Sequence, residues 1–294
     1  MTVIDMRFRP PTDFYKELFQ TLQDRASWSV ALPSWYEQSM DDCVREMEEL
    51  NVVGVVTGRL TTGATQEMAN DHIKDIVDKY PGRFIPVAAI NFYKNRRKAQ
   101  EEIARVAKLG FRGINLEQTR FHPEPMLASD RRFYPIYAQC EDLGLFVSIF
   151  TSPLGGGTSM RNNSPYVFDQ VAEDFPELHI YLAHGCYPLV EELTNLIWRR
   201  SNVWFSIDCY LYAPGAHRYV EACNYDIDHL KYRVFPVDYS EIMSKRFCFG
   251  SAMPFSPPLK VRLEEFKKLG WKEEILDQLL YKNAAELIRL NNPP

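Results

Sequence analysis

The sequence has no excess of basic residues and no long lysine or arginine run. It carries 34 Lys and Arg against 39 Asp and Glu, a formal net charge of −5. Nucleic-acid-binding domains present a basic patch or stripe to the phosphate backbone. The charge balance therefore argues against nucleic acid as a partner, but it leaves room for a local basic site that binds a small anionic substrate.

Long apolar runs are also missing. No stretch approaches the roughly 18 apolar residues of a membrane-spanning helix, so we expect no membrane partner. The N-terminal residues Met-Thr-Val-Ile-Asp-Met-Arg carry charge where a secretory signal needs an apolar stretch. The 6 cysteines form no Cys-x-x-Cys pair and predict reduced, mostly buried thiols. Together these absences predict a cytoplasmic protein.

The usual phosphate-binding motifs do not occur either. Gly155-Gly156-Gly157 follows a predicted strand, but the sequence has neither a Gly-x-Gly-x-x-Gly nor a Walker pattern at this place. A flexible loop is the simpler interpretation of the three glycines, and a phosphate cradle is the alternative.

Apolar residues are abundant and occur in short runs. They make up 46% of the 294 residues, enough for a large core. Eight near-continuous apolar runs are typical of strands that are covered on both faces. The predicted strands are 3–8, 52–57, 84–90, 111–116, 145–150, 179–183, 203–207 and 246–250.

Helical patterns lie between and after these strands. The predicted helices are 41–50, 69–79, 98–109, 130–143, 166–175, 189–200, 259–269 and 273–290. Several end at a residue that stops a helix, such as Gly110, Gly144 and Pro176. Repeated strand–helix alternation predicts an α/β fold, a (β/α)8 TIM barrel that forms a single domain over residues 1–294.

Three insertions follow predicted strands, at residues 10–40, 152–164 and 209–240. Loops at the carboxyl ends of barrel strands cover active sites, so we expect these insertions to act as lids. The third contains Tyr210, Tyr212, Tyr219, Tyr225 and Tyr232. Tyrosine-rich loops suit both aromatic ligands and protein interfaces, which leaves a lid over an aromatic acid and a homo-oligomer contact as open interpretations.

A set of short motifs runs in order through the chain. They are Ile4-Asp5-x-Arg7-x-Arg9, Tyr80-Pro81-Gly82-Arg83-Phe84, Asp130-x-Arg132-Phe133-Tyr134-Pro135-Ile136-Tyr137, Phe175-Pro176-Glu177-Leu178, Leu182-Ala183-His184-Gly185, Phe249-Gly250-Ser251-Ala252-x-Pro254 and Lys282-Asn283-Ala284-Ala285-Glu286-Leu287. In this order the chain resembles the amidohydrolase superfamily, in particular amino-carboxymuconate semialdehyde decarboxylase and related aromatic-acid decarboxylases and lactonases. The resemblance implies a TIM-barrel hydrolase or carbon–carbon lyase.

The resemblance also implies where a divalent metal would be held. The family uses two histidines on the first strand, one at the end of each of the fifth and sixth strands, and an aspartate after the eighth. The matching positions hold Arg7, Arg9, Phe150, His184 and Ala252. Arginine stays cationic and cannot ligate a metal, and Phe and Ala offer no ligand atom. We therefore predict no family-type metal centre and no cofactor; a relocated metal that uses His184 with His217 or His229 is the alternative.

Arg7 and Arg9 are two residues apart on the first strand, so their side chains share a face. Two guanidinium groups carry about the formal charge of a divalent metal, and their planar forks match carboxylate or phosphate. We predict that they bind an anionic substrate where the metal would lie. The alternative is an internal ion-pair network with Asp5, Glu117 or Asp208, because two buried, unpaired arginines are costly.

Other residues complete the predicted site. Arg59 and Arg161 add positive charge at the barrel mouth, with exposed loop cations as the alternative. His184 is predicted to act as a general acid or base, since an imidazole titrates near neutrality; a barrel histidine retained from a metal-binding ancestor is the alternative. Glu117 and Asp208 are the other candidates for proton transfer.

Three functions follow from these alternatives. The first is a metal-independent enzyme that hydrolyses a lactone or ester-like bond in a small carboxylic acid, or decarboxylates it. The second is a non-catalytic barrel that binds an anionic metabolite or a partner protein. The third is a metal-dependent hydrolase with rearranged ligands.

Overall fold

Seven parallel strands form one sheet, in which each strand is bonded to the next one along the chain. The computed structural model describes residues 1–25, 33–60, 64–93, 95–118, 126–153, 160–225 and 239–290. The strands are β1 Val3–Phe8, β2 Val52–Thr57, β3 Phe84–Ala89, β4 Gly113–Leu116, β5 Phe146–Phe150, β6 Ile180–Ala183 and β7 Val203–Ser206. The first seven predicted strands are confirmed, and their alternation with helices confirms the α/β TIM-barrel fold.

The eighth predicted strand is wrong as an extended element. Of residues 246–250 only Phe247 forms a bridge, with Phe205 of β7. The segment still meets the other edge of the sheet, because Met6 N of β1 donates to Phe249 O at 3.0 Å. The barrel is therefore nearly closed, and we call residues 246–250 the seam.

Helices surround the sheet. They are α1 Asp13–Arg25, α2 Pro33–Glu37, α3 Met40–Leu50, α4 Gln66–Lys79, α5 Arg96–Lys108, α6 Tyr134–Asp142, α7 Pro165–Asp174, α8 Val190–Arg199, α9 His217–Asn224, α10 Tyr239–Ser244, α11 Leu259–Lys267 and α12 Asn283–Leu287. Polar side chains cap α3, α4 and α5, where Ser39, Thr65 and Asn95 each accept a hydrogen bond from a backbone N–H of the first turn. Within the described residues, none of the helices combines the length and hydropathy that crossing a membrane requires.

The predicted C-terminal helix at 273–290 is interrupted. It divides into a 3-10 turn at Glu273–Ile275, a π-helical turn at Gln278–Lys282 and α12. The carbonyl of Leu279 accepts a hydrogen bond from Phe249 N of the seam at 2.9 Å. Because Leu279 O accepts from a donor outside the helix, the helical hydrogen bonding is interrupted here, and the helix forms a π turn. The same bond uses Phe249 N, which is then not available to a neighbouring strand.

Two apolar clusters fill the fold. The larger joins strand residues such as Val52 and Val56 to the surrounding helices. The smaller takes alternate strand positions, among them Val53 and Val55, together with Leu287 of α12. Because alternate residues of a strand point to opposite faces, the smaller cluster is the barrel interior. Helix α12 closes one end of it and leaves the other end for polar side chains.

The three insertions contain short helices. The first holds α1 and α2, the second a 3-10 turn at Met160–Asn163, and the third a 3-10 turn at Asp208–Tyr212 followed by α9 and α10. The glycines at 155–157 and Tyr232 lie outside the described residues. Helix α1 is fixed to the mouth of the barrel, since Tyr15 Oη donates to Thr57 O at 3.1 Å. The action of the insertions as lids stays a prediction.

Strand β1 is irregular where it approaches the mouth. Asp5 pairs with Gly54 and Phe8 pairs with Val56, so three steps along β1 match two steps along β2. An extra residue of this kind changes the direction of neighbouring side chains and is common beside active sites. Arg7 lies inside the irregular stretch, which sets the direction of its side chain.

Candidate active site

Arg7, His184 and Asp208 contact one another in a closed triangle at the carboxyl ends of β1, β6 and β7. Arg7 Nε lies 3.2 Å from Asp208 Oδ2, and Arg7 Nη2 lies 3.2 Å from His184 Nε2. His184 Nδ1 lies 2.7 Å from Asp208 Oδ1. All three residues are buried. The structure thus brings together three of the residues that the sequence predicts in the site.

The partners of His184 define its tautomer. The guanidinium of Arg7 only donates hydrogen bonds, so Nε2 of His184 accepts and carries no proton. The remaining proton is on Nδ1, which donates to the Asp208 carboxylate. In this state the basic nitrogen of His184 is covered by Arg7.

The electrostatics of this triangle keep His184 neutral. Burial lowers the pKa of His184 to about 4; the Asp208 carboxylate opposes this effect, and the Arg7 cation adds to it. Burial alone would raise the pKa of Asp208, but the interactions with His184 and Arg7 outweigh burial and hold that pKa below its ordinary value. At neutral pH the triangle therefore consists of one cation, one anion and one neutral imidazole.

The backbone at this end of the barrel is unusual. His184, Asp208 and Ala252 have φ values of 79°, 31° and 64°, in the left-handed region that favours glycine. Each such residue costs on the order of 1–3 kcal/mol and persists where surrounding contacts hold it. The chain therefore turns at these three residues, and their side chains point in directions that an extended backbone would not allow.

Arg9 is buried, and no carboxylate pairs with it among the residues that the structure describes. Its Nη1 donates to the backbone carbonyls of Arg7 at 3.4 Å and Met253 at 3.2 Å, while Nε has no hydrogen-bond partner. Only 3% of the residue is exposed. Burial, and then the charges of Arg7 and Arg59, lower the pKa of Arg9 to about 9. It is still a cation at neutral pH.

Arg59 and Glu117 form a second buried pair at the ends of β2 and β4. Arg59 Nε lies 2.9 Å from Glu117 Oε1, and Nη2 donates to Oε2 at 3.4 Å. Glu117, which the sequence offers as a partner for Arg7 or Arg9, is thus engaged by Arg59. The guanidinium carbons of Arg9 and Arg59 lie 5.7 and 5.8 Å from the ring centroid of Phe19 on α1. One buried ring therefore contacts both cations.

Asp5 bonds to backbone N–H groups, whereas the ion-pair alternative expects it to pair with Arg7 or Arg9. Its Oδ1 accepts hydrogen bonds from the backbone N–H groups of Arg7 at 2.9 Å and Ser251 at 2.8 Å. Burial raises the pKa of Asp5. Asp5 therefore ties β1 to the residues after the seam, and among the described residues it forms no salt bridge with Arg7 or Arg9.

Arg262 is a site residue that the sequence interpretation missed. It is 1% exposed, and its Nη2 donates to the carbonyls of Asp208 and Gly250, so it joins the end of β7 to the seam. A signal for it exists in the sequence of α11, where the buried positions are 259, 262, 263 and 266. An arginine on the apolar face of a helix needs a buried partner.

Gly250 provides the space that Arg7 occupies. A Cβ at this position would lie 3.0 Å from Arg7 Cγ and 3.2 Å from Ser206 Oγ. The glycine of the Gly-Ser motif therefore permits the close approach of β1 and the seam.

Aromatic rings surround His184. The ring centroids of Phe150 and Tyr210 lie 4.9 and 5.6 Å from that of the imidazole, and both rings stand nearly perpendicular to it. Tyr187 stacks on Tyr210 with 4.7 Å between centroids. Tyr210 thus belongs to the site, while Tyr212 and Tyr225 of the same insertion are about half exposed. These rings give the imidazole a largely apolar surrounding.

Two of the predicted residues are not part of this buried cluster. Arg161 lies in the 3-10 turn of the second insertion with an exposed side chain, and His217 is exposed at the start of α9. His229, the other partner considered for a relocated metal, lies outside the described residues.

The family model described as "Amidohydrolase" (Amidohydro_2) matches residues 4–290. The chain belongs to the amidohydrolase family. No curated protein matches it.

Solved structures of related barrels cover almost the whole chain. An uncharacterised TIM-barrel protein from Bordetella bronchiseptica is 29% identical with a TM-score of 0.79, over 98% of this chain and 99% of that chain. A dihydroxybenzoic acid decarboxylase from Polaromonas, with bound manganese and the inhibitor 2-nitroresorcinol, is 17% identical with a TM-score of 0.68, over 99% and 98%. A probable 2-pyrone-4,6-dicarboxylic acid hydrolase from Acinetobacter baumannii, with citric acid bound, is 13% identical with a TM-score of 0.66, over 98% and 100%.

The positions that match the metal ligands of this amidohydrolase group hold two cations and two apolar residues beside His184. Arg7 and Arg9 are buried cations, and Phe150 packs its ring edge-on to the imidazole. Ala252 follows the seam with no ligand atom. This set does not fit a divalent metal, which needs about four N, O or S ligands and would lie next to two positive charges.

One other group of ligand atoms occurs among the described residues. A ring nitrogen of His184, a carboxylate oxygen of Asp208 and Cys209 Sγ lie within 4.8 Å of one another, and Nδ1 is 2.7 Å from Asp208 Oδ1 and 3.8 Å from Cys209 Sγ. For Nδ1 to ligate a metal, its proton would have to move to Nε2, which faces the donors of Arg7. Burial, and then the Asp208 carboxylate, raise the pKa of the Cys209 thiol well above its ordinary range. While Arg7 is bonded to His184, this group also fits a metal poorly.

Proposed function

We propose that this amidohydrolase-family barrel is an enzyme that binds a small carboxylic acid through Arg7 and Arg9. It would then either hydrolyse a lactone or ester-like bond or remove a carboxyl group. The observation that carries the proposal is that Arg9, a buried cation that feels the charge of Asp208, forms no ion pair with a carboxylate among the described residues. A buried cation without a partner is costly, so a bound anion would stabilise the site.

Arg9 supplies Nε, which has no hydrogen-bond partner among the described residues, and Arg7 supplies a second guanidinium on the same side of the mouth. Carboxylates accept paired hydrogen bonds from such planar forks. Arg59 contributes to the local potential, although its own fork is taken by Glu117. The exposed Arg161 would act only in attracting the anion from solvent, where screening weakens its effect.

Substrate binding would activate His184. A carboxylate that accepts hydrogen bonds from Arg7 competes with His184 Nε2 for the same guanidinium. Release of Nε2 uncovers a lone pair, while Nδ1 stays hydrogen-bonded to Asp208. In hydrolysis, Nε2 would take the proton of the attacking water, and Asp208 would stabilise the resulting imidazolium, as in other His–Asp pairs. In decarboxylation, the uncovered Nε2 would first take a proton from a water molecule at the mouth and then deliver it to the carbon from which the carboxyl group leaves as carbon dioxide.

Glu117 is the weaker of the proton-transfer candidates. Its carboxylate is held by both Arg59 nitrogens in a buried ion pair, and a charge-paired carboxylate is a poor base. We assign proton transfer to His184, with Asp208 orienting it.

We also propose that the reaction proceeds without a divalent metal at the family position. The support is the donor set: Arg7 and Arg9 provide positive charge where a metal would polarise the substrate, and Phe150 and Ala252 provide no ligand. The guanidinium groups would stabilise developing negative charge on oxygen through preorganised donors. A second arrangement, a metal on His184, Asp208 and Cys209, is favoured only by the proximity of those atoms.

Two of the similar solved structures support these reaction classes. One is a decarboxylase and the other a probable hydrolase of a small organic acid, and both have this fold. A non-catalytic barrel that binds an anionic metabolite is the second candidate function. The observation that favours a binding protein is the hydrogen bond from Arg7 to Nε2 of His184, because it occupies the basic nitrogen that catalysis would need.

A carboxylate screen tests the proposal. Mono- and dicarboxylic acids are added to the purified protein, and thermal stability is followed for the wild type, Arg7→Met, Arg9→Met and the control Arg132→Met, whose side chain is on the surface with Asp130. We expect stabilisation by at least one acid, its loss in Arg9→Met and its weakening in Arg7→Met. Equal stabilisation of all four proteins would contradict the anion site. Turnover of the bound acids then separates an enzyme from a binding protein.

A further inference from the structure

Ser206 contacts the Asp208 carboxylate from the interior side of the barrel. It is the last residue of β7 and is fully buried. Trp204, two residues earlier, belongs to the smaller apolar cluster, so Ser206 faces the same interior. Ser206 Oγ lies 3.5 Å from Asp208 Oδ2, which makes a long and weak hydrogen bond. An ionised carboxylate only accepts, so the hydroxyl of Ser206 is the donor.

The hydroxyl of Tyr181 orients this donor. Tyr181 lies on β6, and its Oη is 2.5 Å from Ser206 Oγ. Because the proton of Ser206 points to Asp208, the oxygen of Ser206 accepts the proton of Tyr181. Burial raises the pKa of Tyr181 well above its ordinary range, so Tyr181 keeps that proton at neutral pH. Two hydroxyl groups thus form a chain that ends at Oδ2 of Asp208.

The two oxygens of the Asp208 carboxylate have different partners. Oδ1 accepts hydrogen bonds from His184 Nδ1 at 2.7 Å and from Cys209 N at 2.5 Å. Oδ2 lies 3.2 Å from Arg7 Nε, but that nitrogen is not aligned for a hydrogen bond. Among the described residues, Ser206 is therefore the one hydrogen-bond donor to Oδ2.

Arg7 contacts His184 and Asp208 through one edge of its guanidinium. Nη2 is bonded to His184 Nε2, and Nε lies beside Oδ2 of Asp208. Because the guanidinium is planar and rigid, a movement that takes Nη2 from His184 to a substrate carboxylate also displaces Nε from Oδ2. A buried anionic oxygen that loses its charged partner is costly. The neighbouring hydroxyl of Ser206 can offset part of this loss.

We propose that Ser206, oriented by Tyr181, is a positioning residue that holds Asp208 in place when Arg7 turns to the substrate carboxylate. Ser206 does not touch the substrate, because it acts on His184 through Asp208. The inference rests on the proposed binding of a carboxylate by Arg7, and it adds the group that keeps the His184–Asp208 pair in place in the bound state. The bond from Ser206 to Oδ2 should then shorten to about 2.7 Å, the ordinary O–H···O distance.

A double-mutant cycle tests the contact without any ligand. Urea denaturation is followed for Ser206→Ala and the matched control Ser148→Ala, each in the wild type and in Arg7→Met. Ser148 is a buried serine of β5 whose hydroxyl donates to Asn115 Oδ1 at 3.2 Å. In Arg7→Met, Oδ2 depends on Ser206, so Ser206→Ala should increase the unfolding equilibrium constant about tenfold more there than in the wild type.

The coupling to Arg7 separates positioning from packing. A serine that only packs in the barrel has the same effect in both backgrounds, and this is the result that we expect for Ser148→Ala. The same result for Ser206→Ala would overturn the inference.

Calorimetric titration with benzoate and glutarate tests the bound state in variants that keep Arg7. We expect Ser206→Ala to weaken binding about tenfold, because the departure of Arg7 then leaves Oδ2 without a hydrogen-bond donor among the described residues. Tyr181→Phe removes the group that orients Ser206 and should weaken binding by a smaller factor. Ser148→Ala should bind both acids as the wild type does.

The proposed function and this inference fail in different ways. If the wild type and folded Ser206→Ala bind the acids equally, the role of Ser206 is overturned, while loss of binding in Arg9→Met still upholds the anion site. If neither acid binds the wild type, the anion site is overturned together with the role of Ser206 in the bound state.

Discussion

The guanidinium of Arg7 donates to Nε2 of His184 at 3.2 Å, and it thereby covers the nitrogen that would accept a proton in catalysis. The same guanidinium pairs with Asp208 at 3.2 Å. Arg7 therefore has two functions in the proposed mechanism: it binds the substrate anion, and its departure from His184 makes the base available. Proton transfer would be coupled to the arrival of a carboxylate.

The two arginines should differ in their effect on stability. Arg7→Met leaves the fully buried Asp208 carboxylate without its arginine partner, which should lower the free energy of unfolding by about 3–5 kcal/mol. Arg9→Met removes a buried cation that has no carboxylate partner among the described residues, so the free energy of unfolding should stay within about 1 kcal/mol of the wild type or rise. Urea denaturation of both variants measures the difference. A large loss of stability in Arg9→Met would mean that Arg9 is held by an ion pair.

A carboxylate built into the chain should replace the bound anion. Ala252 has φ of 64°, a conformation that Asp and Asn tolerate better than Ala, and it precedes Met253, whose carbonyl accepts from Arg9. We expect Ala252→Asp to pair with Arg9, to raise thermal stability and to weaken carboxylate binding at least tenfold.

Ala252→Asn is the matched control, because it has the same shape without the charge. It should keep most of the affinity for carboxylates. If both substitutions weaken binding equally, their effect is steric and the charge argument fails.

The titration of His184 should appear in the pH dependence of stability. Its pKa is lowered to about 4 in the folded state from 6.5, so between these values the unfolded chain binds the proton more readily. The free energy of unfolding should therefore fall as the pH decreases from about 6.5 towards 4, by up to about 3 kcal/mol from this residue.

Two other histidines titrate in the same direction, because burial also lowers the pKa of His72 and His179. The contribution of His184 is thus the difference between the wild type and His184→Gln, measured by urea denaturation at several pH values. Parallel curves for the two proteins would contradict a buried, neutral His184.

Removal of metal should have little effect. We expect incubation with a chelator, and later addition of zinc, to change neither the thermal stability nor the affinity for carboxylates, because the family metal positions hold Arg7, Arg9, Phe150 and Ala252. Elemental analysis of the purified protein is the direct measurement. One zinc or manganese per chain that is lost in Cys209→Ser would instead support a metal on His184, Asp208 and Cys209.

The sequence predicts the first seven strands well because each is a short apolar run that ends at a helix or turn signal. The seam was predicted in the right place but with the wrong backbone, since Phe249 N bonds to Leu279 O rather than to a neighbouring strand. The same contact interrupts the C-terminal helix. Neither effect has a local signal, because both depend on two segments about 30 residues apart meeting across the barrel end.

The residues of the site could be predicted because they lie at the carboxyl ends of predicted strands. Which acid pairs with which arginine could not be predicted. Asp208 pairs with Arg7, one of the expected alternatives, whereas Glu117 pairs with Arg59 and Asp5 bonds to backbone N–H groups. Which acid meets which arginine depends on the irregular register of β1 and on the left-handed backbone at Asp208. Sequence spacing does not specify either feature.

The residues that follow the seam also determine when the site can form during synthesis of the chain. Three hydrogen bonds of the site need residues after position 250. Asp5 accepts from Ser251 N, Arg9 donates to Met253 O, and the carbonyl of Asp208 accepts from Arg262. A nascent chain that stops before residue 250 contains β1 to β7 and both partners of Arg7, but it lacks Met253, so the side chain of Arg9 has only the carbonyl of Arg7 as a hydrogen-bond partner among the described residues. Anion binding should therefore be among the last properties that this protein acquires as it folds.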